Sequence, residues 1–344
     1  MTAKMTAVGY AASLPITDER SLFEFETPVP RPGDRDLLVR VQAVSVNPVD
    51  VKVRMRKQGT QAEPVILGWD AAGIVEATGR DCRLFKPGDH VYYAGNVNRP
   101  GTNAPFHAVD ERIVGRKPKS LDFAQAAALP LTTITAWELL FDRIGVKRGE
   151  EADRRSLLIV GGAGGVGSIA IQLARKLTGL SVIATASRPE TQDWVRGLGA
   201  QHVIDHSKPF APQLKAAGFP TADIVLALTG TPRNASQITE VISPQGRLGL
   251  IEGVDSFKAF DTVPLWSKCV SIHPELMFTR STHGTPDMNE QHRLLDETAD
   301  LVDRGVLRTT MTTNLGRLSA ATLNRAHAQI ESGTTIGKVV LEVA

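Results

Sequence analysis

The chain has 344 residues, which is too long for one ordinary hydrophobic core, so two domains are expected. Its hydrophobic fraction of 42% and charged fraction of 22% are typical of a globular protein, and a net charge of +2 argues against a nucleic-acid-binding surface. The two cysteines, Cys82 and Cys269, form no CxxC pair, which excludes a structural zinc site built on cysteines.

The sequence carries no targeting or membrane signal. The N-terminal stretch lacks the apolar centre of a signal peptide, and no apolar run approaches the roughly 18 residues of a membrane span. We therefore expect a cytoplasmic protein with no membrane contact and no nucleic-acid partner. The basic cluster at residues 54–57 is interpreted as a solvated face.

The first part of the chain, to about residue 125, is rich in short strands. Residues 37–46, 73–77 and 90–94 have β-branched or alternating patterns. Turns with Pro and Gly separate them at residues 32–34 and 86–89. Many short strands with this punctuation predict a small barrel.

The pattern changes near residue 122. Asp122 is a candidate N-cap for a helix from Phe123, Pro130 should break the helical run, and Gly145 should end the second helix. From residue 156 short apolar strands alternate with helices, which predicts βαβ units and a parallel sheet.

The sequence thus predicts an α/β protein with two domains. A β-rich domain spans residues 1–125 and receives residues 312–344, which return to strand. A doubly wound parallel sheet occupies residues 126–311.

A glycine-rich turn is the strongest local signal. A GxGxxG pattern follows the apolar strand LLIV directly and precedes a helix, where glycines let the backbone approach a pyrophosphate at the helix N-terminus. A P-loop is disfavoured because no Lys precedes Ser168. A tight turn without a ligand is the alternative to a Rossmann-type dinucleotide site. The predicted pyrophosphate residues are Gly162, Gly164, Gly165, Val166 and Gly167.

The end of the next strand indicates which dinucleotide is bound. Sites that prefer NAD place Asp or Glu there, about 20 residues after the glycines. Here the strand SVIATA is followed by Ser187 and Arg188, and Glu190 comes only after Pro189. A hydroxyl and a guanidinium suit a 2′-phosphate, so NADP(H) is favoured over NAD(H).

Several segments, in order along the chain, resemble the medium-chain dehydrogenase/reductase superfamily. They are SVNPVDVKVR, GWDAAGIVEATG, FKPGDHVYY, AAALPLTTITAWELLF, GGAGGVGSIAIQLA and AHAQIESGTTIGKVVLEV. Within the superfamily the chain is similar to the quinone oxidoreductase branch, and RPGTNAPFHAVDERIVGRKP resembles the bacterial zinc-type alcohol dehydrogenase-like proteins. The resemblance implies a GroES-like catalytic domain, a Rossmann domain and an active site in the cleft between them.

The zinc ligands of true alcohol dehydrogenases are missing at the positions that the resemblance assigns to them. Asn47 stands where those enzymes have Cys, residues 68–70 read Gly-Trp-Asp instead of Gly-His-Glu, and a further Cys would fall near Leu131. His202 and His206 lie on a strand and its end rather than on one helix face. Zinc needs three or four suitable ligands, so we expect no metal.

Three residues are candidates for catalysis. The resemblance places Asn47 near the nicotinamide, where its amide could donate to a substrate oxygen, with a structural turn as the alternative. Lys52 stands where many quinone reductases carry a Tyr that is a candidate proton donor. The donor is therefore either absent from this chain or replaced by the Lys52 ammonium. Trp69 would shape an aromatic pocket or simply pack. Asp50 and Arg54, spaced i and i+4, are expected to form an ion pair.

The resemblance also implies contacts with the cofactor. Thr135 resembles the Thr at the nicotinamide or its ribose, with a helix Thr bonded to its own backbone as the alternative. His206 stands where relatives have Tyr and is a candidate second cation for the 2′-phosphate. Further lining residues, with a core role as the alternative for the last, are Leu228, Thr229, Ile251, Gly253 and Phe278.

These features favour a zinc-free NADPH-dependent reductase of quinones or activated enones. A zinc-dependent alcohol dehydrogenase is one alternative, and a non-catalytic NADPH-binding structural or sensor protein is another. An enoyl-thioester reductase would need a basic groove for CoA phosphates, for which residues 54–57 are the only candidate. Edge strands of Rossmann sheets often pair in this family, so a homodimer through residues 270–278 is expected.

Overall fold

In a computed structural model, residues 3–56, 60–149 and 153–343 are described, and the chain divides into two compact units. Unit 1 consists of Met1–Leu131 and Phe278–Ala344, and unit 2 consists of Thr132–Met277. Both units combine helices with strands, which confirms the α/β class. None of the helices in these ranges is long and apolar enough to cross a membrane.

The strands, in chain order, are β1 (Lys4–Ala12), β2 (Phe23–Pro28), β3 (Asp36–Val46), β4 (Thr60–Ile66), β5 (Asp70–Thr78), β6 (His90–Ala94), β7 (Phe106–Asp110), β8 (Val114–Arg116), β9 (Ser156–Val160), β10 (Ser181–Thr185), β11 (His202–Ile204), β12 (Ala222–Ala227), β13 (Ile242–Leu250), β14 (Ser271–Pro274), β15 (Met311–Arg317) and β16 (Lys338–Glu342). The α-helices are α1 (Pro48–Arg56), α2 (Phe123–Ala127), α3 (Pro130–Trp137), α4 (Gly165–Leu177), α5 (Pro189–Leu198), α6 (Phe210–Ala216), α7 (Thr231–Val241), α8 (Val254–Lys258), α9 (Thr262–Ser267), α10 (Thr279–His283), α11 (Glu290–Asp303) and α12 (Ala320–Glu331). A π-helical turn, Glu138–Arg143, continues α3.

Unit 1 is organised around the long strand β3. One edge of β3 pairs with β5, and the other is shared by β7 and β16 at opposite ends of the strand. The full order is β15-β16-β3-β5-β6-β8, with only β15 and β16 parallel, and a separate antiparallel sheet has the order β2-β1-β4. The exchange of partners along β3 lets short strands surround one core, as the barrel-like pattern predicts.

Unit 2 contains a six-stranded sheet in which every pair is parallel. Its order is β11-β10-β9-β12-β13-β14, which is the 3-2-1-4-5-6 order of a Rossmann fold. Strands in such sheets are apolar because helices cover both faces, and all five residues of β9 are buried. The carboxyl ends of β9 and β12 therefore lie side by side in the centre of the sheet.

The boundaries of the two units differ from those predicted. Residues 278–311 belong to unit 1, so the return to this unit begins at Phe278 rather than at residue 312. Tyr92 of β6 donates to the Leu295 carbonyl of α11 at 2.7 Å, and Arg116, the last residue of β8, donates to Asp296 at 2.8 Å. The apolar stripe of α11 looks like that of any Rossmann helix, and nothing in its sequence shows which sheet it covers.

The helix signals near residue 122 are confirmed. Asp122 caps α2 in a capping box with Gln125, and α3 begins at Pro130. Gly145, with a φ of 71°, follows the π-helical turn. A left-handed residue at this place ends the helical run.

A pair of buried carboxyl groups joins the π-helical turn to the end of β14. The side chains of Glu138 and Glu275 are fully buried, and Arg143 donates to them at 3.2 and 2.8 Å, respectively. Burial, and next the charge of Glu138, raise the pKa of Glu275 to about 9. At neutral pH Glu275 therefore keeps its proton.

The proton on Glu275 makes the free energy of unfolding fall as the pH rises. The unfolded chain releases it near the ordinary pKa of about 4.5, whereas the folded chain holds it to about pH 9. We expect Glu275→Gln, which mimics the protonated group, to gain melting temperature relative to the wild type between about pH 6 and pH 9. Glu240→Gln, at an exposed position of α7, is the control. A difference in melting temperature that does not change with pH would contradict the assignment.

Candidate functional site

The glycine-rich turn connects β9 to α4 at the carboxyl end of the unit 2 sheet. Gly161 has a φ of 89°, so it, rather than Gly162, supplies the left-handed residue of the turn. A Cβ on Gly161 would lie 2.5 Å from Thr229 Cγ2, which shows how closely the ends of β9 and β12 approach. Strand addition reverses direction here, and open α/β sheets bind ligands at such a switch point.

The three motif glycines have different surroundings. A Cβ on Gly162 would lie 2.9 Å from Ala184 Cβ, and one on Gly167 would lie 2.3 Å from the Gly161 carbonyl oxygen. Both positions are therefore closed by packing. A Cβ on Gly164 would meet nothing nearer than that same oxygen at 3.6 Å, and its φ of −73° suits any residue. Packing gives no reason for glycine at 164, whereas a ligand that must reach the backbone does.

The helix that follows the turn presents its N-terminus to the same place. Gly164 is the N-cap of α4 and provides no side-chain cap. The first N–H groups of a helix have no acceptor within it, and they carry partial positive charge. Trp194 of α5 donates to Ser168 Oγ at 2.8 Å, and that hydroxyl in turn donates to the Ala163 carbonyl of the turn at 3.4 Å. The residues present fit a dinucleotide pyrophosphate at Gly164, Gly165 and Val166.

The other predicted lining residues of unit 2 follow β12 and β13. Leu228 is buried and Thr229 is exposed, while Ile251 and Gly253 flank Glu252. The Glu252 carboxylate accepts from the N–H groups of Gly230 and Thr231 at 3.1 and 2.8 Å and so caps α7. The sequence did not reveal this cap, because the carboxylate comes from another strand end.

Basic side chains follow β10 and β11, the strands expected at the adenosine end. Arg188 is the N-cap residue of α5, beside Ser187, and its Nε lies 3.2 Å from Glu190. His206 comes two residues after β11. Partial burial lowers the pKa of His206, Asp205 opposes that shift, and the charges of Arg233 and Arg188 add to it. The His206 imidazole is therefore close enough to both guanidinium groups for their charges to act on it.

Unit 1 contains a buried ion network at the ends of β3, β5 and β16. Asp70 Oδ2 accepts from Asn47 Nδ2 at 2.8 Å and lies 3.3 Å from Lys338 Nζ. Lys338 also donates to Asn47 Oδ1 and, at 2.9 Å, to the Val46 carbonyl. The second amide hydrogen of Asn47 faces the Ser45 carbonyl at 3.3 Å. The amide that we expected to face a substrate oxygen is thus occupied within unit 1.

Burial governs the charges of this network. It raises the pKa of Asp70 and lowers that of Lys338, while the charge of each group opposes the shift of the other. Burial also raises the pKa of Asp50, which accepts from the Asn47 N–H at 2.7 Å, to about 7. The cost of removing the Asp70 and Lys338 charges from water offsets much of their mutual attraction. The network therefore contributes more to the placement of these side chains and Asn47 than to the stability of the fold. Removing one partner would leave an uncompensated buried charge, at a cost of about 3–5 kcal/mol.

The residues at the zinc-ligand positions do not fit a zinc ion. The Asn47 amide is occupied, Leu131 is apolar, and the Trp69 indole N–H donates to the Asn96 carbonyl at 3.1 Å. The Asp70 carboxylate already faces an ammonium group, whose charge opposes a metal cation. Among residues 3–56, 60–149 and 153–343, no group of three or more His, Cys, Asp or Glu side chains could hold a metal ion.

The remaining predicted residues are distributed over both units. Trp69 is 2% exposed and packs edge-on against Phe278, with ring centroids 5.8 Å apart, both in unit 1. Phe278 therefore belongs to a different unit from the glycine turn. Thr135 is buried on α3 in unit 2, and Lys52 is half-buried on α1. The catalytic or cofactor roles of these residues stay predictions.

The expected pair between Asp50 and Arg54 is wrong. The segment is helical, as α1, but Arg54 pairs with Glu331 of α12 and donates to the Leu14 carbonyl. Arg54 is 1% exposed, so the interpretation of residues 54–57 as a solvated face fails for this member, while Lys57 lies outside the described residues. Because Arg54 is buried and its charge is paired with Glu331, it cannot line a basic groove for CoA phosphates.

Comparison with known proteins agrees with the two kinds of unit. Residues 33–118 match the alcohol dehydrogenase GroES-like domain, and residues 198–341 match the zinc-binding dehydrogenase family. A crystal structure of a candidate zinc-dependent alcohol dehydrogenase from Rhizobium etli is 56% identical, with a TM-score of 0.94, and covers 100% of this chain and 99% of its own.

Three further relatives have the names of a zinc-type alcohol dehydrogenase-like protein, an alkenal/one oxidoreductase and a quinone oxidoreductase. A zinc-type alcohol dehydrogenase-like protein of Staphylococcus aureus is 39% identical over 95% of this chain and 96% of its own length. An NADPH-dependent alkenal/one oxidoreductase of Arabidopsis thaliana is 40% identical over 52% of this chain and 47% of its own. A quinone oxidoreductase from Coxiella burnetii is 26% identical, with a TM-score of 0.81, over 99% of this chain and 100% of its own.

A GroES-like unit joined to a Rossmann sheet with a dinucleotide turn defines a class of oxidoreductases that use nicotinamide cofactors. The chain belongs to the medium-chain dehydrogenase/reductase superfamily, with the zinc-type alcohol dehydrogenase-like proteins as relatives over nearly its whole length. The predicted resemblance is confirmed.

Gly164 and Gly167 should respond differently to the same added methyl group. Gly164→Ala has room for its Cβ, so we expect its melting temperature to stay within about 2 °C of the wild type. Its affinity for the dinucleotide, measured with NADPH and with NADH, should fall about tenfold or more, because the methyl group occupies the approach to the backbone. Gly167→Ala meets a carbonyl oxygen and should lose about 1–3 kcal/mol of stability. Thermal unfolding and fluorescence titration measure both effects, and unchanged affinity in Gly164→Ala would refute the placement of the pyrophosphate.

Proposed function

We propose that this protein is a zinc-independent, NADPH-dependent oxidoreductase that transfers a hydride to quinones or activated α,β-unsaturated carbonyl compounds. The observation that carries the proposal is the glycine turn of unit 2, where position 164 is open to a ligand and basic side chains follow the neighbouring strands. When bound, a reduced nicotinamide supplies the hydride.

The choice of NADPH rests on charge at the adenosine end. An NAD-specific site needs a carboxylate at the end of β10 to accept from the ribose 2′-OH. Ser187 and Arg188 stand there instead, and the nearby Glu190 faces the Arg188 guanidinium. An Arg offers a charge-assisted, bidentate contact to a 2′-phosphate, and His206 adds a titratable donor. The Arabidopsis relative, named NADPH-dependent, supports the same choice.

The substrate class follows from the closed network of unit 1. A simple ketone or alcohol needs a Lewis acid or strong donor at its oxygen, and the groups at the zinc-ligand positions are occupied by one another. Quinones and enones are already electrophilic, so orientation and exclusion of water suffice for hydride transfer. The names of the quinone and alkenal reductase relatives support this class.

Reduction also requires a proton, and Lys52 is the candidate donor in unit 1. Lys52 is half-buried on α1, close in sequence to Asn47, and its ammonium group carries three hydrogens for donation. Asn47 then acts as a positioning residue, because its side chain links Asp70 to Lys338. Solvent is the alternative source of the proton.

Turnover of NADPH with phenanthrenequinone and with a simple alkenal tests the proposed activity. We expect kcat/KM with NADPH to exceed that with NADH by about tenfold or more, and prior treatment with a chelator to have no effect. Arg188→Gln should lower this preference, while Arg196→Gln, which removes an exposed cation from the same helix, should not.

Each other outcome points to a specific alternative. Loss of activity on chelation would overturn the zinc-independent mechanism and favour an alcohol dehydrogenase. Tight NADPH binding without turnover of either substrate would favour the non-catalytic structural or sensor role. Equal use of NADH and NADPH would remove the assignment of Ser187 and Arg188.

We also propose a homodimer formed through β14, the last strand at one edge of the unit 2 sheet. Six of the eight exposed large hydrophobic side chains of the described residues lie between residues 254 and 276, and Trp266 is 86% exposed. Apolar surface beside an open strand edge is typical of an interface. A second copy related by a two-fold axis can pair its own β14 there and continue the sheet.

Sedimentation velocity at micromolar protein tests this assembly. The wild type should sediment as twice the 37.1 kDa chain. Ile272→Lys places a charge on β14 and should give a monomer, because edge lysines prevent strand pairing. Met55→Lys, at a 58% exposed position of unit 1, is the matched control and should remain dimeric. A monomeric wild type would end the proposal.

A further inference from the structure

A third basic side chain, which the sequence pattern did not reveal, lies at the same carboxyl edge of the unit 2 sheet. Arg233 is the third residue of α7, the helix that follows β12. Its Nη2 and Nε lie 3.8 and 4.0 Å from the point that a Cβ on Gly230 would occupy, so the guanidinium folds back over the strand end. Arg188, His206 and Arg233 thus come from the ends of three strands of one sheet.

The acidic groups around these cations are already engaged. Glu190 pairs with Arg188 at 3.2 Å, and Asp205 accepts from Ser207 Oγ at 2.7 Å. Glu252 is bound to the N-terminal N–H groups of α7. Within the part of the chain that the structure describes, the Arg233 guanidinium has no ion pair. It therefore keeps its full capacity to bind an anion.

The position of Arg233 contradicts the electrostatics of its own helix. A helix N-terminus carries partial positive charge and favours acidic side chains in the first turn. A cation there, exposed and close to the His206 imidazole, is unfavourable for folding alone. Departures from local rules without a structural gain are expected at functional sites. An anion at this place would offset the repulsion that Arg188 and Arg233 exert on the protonated form of His206.

We propose that Arg233 binds the 2′-phosphate of NADPH together with Arg188 and is a specificity-determining residue for the cofactor. This inference rests on the proposed function, since only the phosphorylated dinucleotide carries the required anion. The guanidinium presents a planar fork of donors that matches phosphate oxygens. Arg233, which follows β12, and Arg188, which follows β10, would then contact the phosphate from the two sides of β9.

Calorimetric titration of the full-length protein with 2′,5′-ADP and with 5′-AMP separates the phosphate from the rest of the adenosine. The wild type should bind the bisphosphate more tightly. Arg233→Gln should lose about tenfold or more in affinity for the bisphosphate and less than about twofold for the monophosphate. Arg233→Lys should recover part of the loss, because it keeps the charge without the fork. Arg196→Gln, an exposed cation of α5, is the control and should change neither.

The outcomes distinguish the two levels of the argument. A wild type with no preference for the bisphosphate would overturn the NADPH assignment and the role of Arg233 with it. A wild-type preference that Arg233→Gln retains would overturn the role of Arg233 alone. Equal losses for both probes would assign Arg233 to the adenine or ribose and refute the phosphate contact.

Discussion

The Asp70 carboxylate is fully buried, and unit 1 is arranged around its compensation. A charge in that environment must be paired and fully hydrogen-bonded, or the fold loses several kcal/mol. Asn47 comes from the end of β3, Lys338 from the start of β16, and the Leu131 N–H, 2.7 Å away, from the start of α3. Asn47 and Lys338 are 291 residues apart in the sequence, yet both contact this one carboxylate. The return of the C-terminal strand to unit 1 supplies the cation that this site requires.

Unit 2 differs from unit 1, because it places basic side chains where its strands end. A parallel sheet directs every carboxyl end to the same edge, so the glycine turn, the basic residues after β10 and β11 and the first turn of α7 share one side of the sheet. Close packing at Gly162 and Gly167 holds α4 against the sheet, while Gly164 remains open.

Much of the fold was predictable because its signals are local. The glycine pattern, the Asp122 cap and the alternation of apolar strands with helices each act within a few residues. The partners of individual side chains were not predictable in this way. Arg54 looked like part of a solvated cluster, yet its partner Glu331 lies on the last helix. Asn47 looked like a donor to substrate, yet Lys338 and Asp70 occupy its amide. Residues 278–311 joined unit 1 because of packing that an amphipathic pattern does not encode.

The names of several relatives contain the word zinc, but the groups at the zinc-ligand positions of this chain differ from zinc ligands. A family name describes shared ancestry and fold, whereas function depends on the groups at the site. Where true alcohol dehydrogenases hold a metal cation, Lys338 places an ammonium next to Asp70, and its charge balances the carboxylate without any open coordination position. An ammonium bonded on several sides to protein oxygens cannot polarise a substrate carbonyl as a Lewis acid does. The fold is therefore shared with its zinc-type relatives while the groups at these positions differ, and the proposed substrates, quinones and enones, are electrophilic without a Lewis acid.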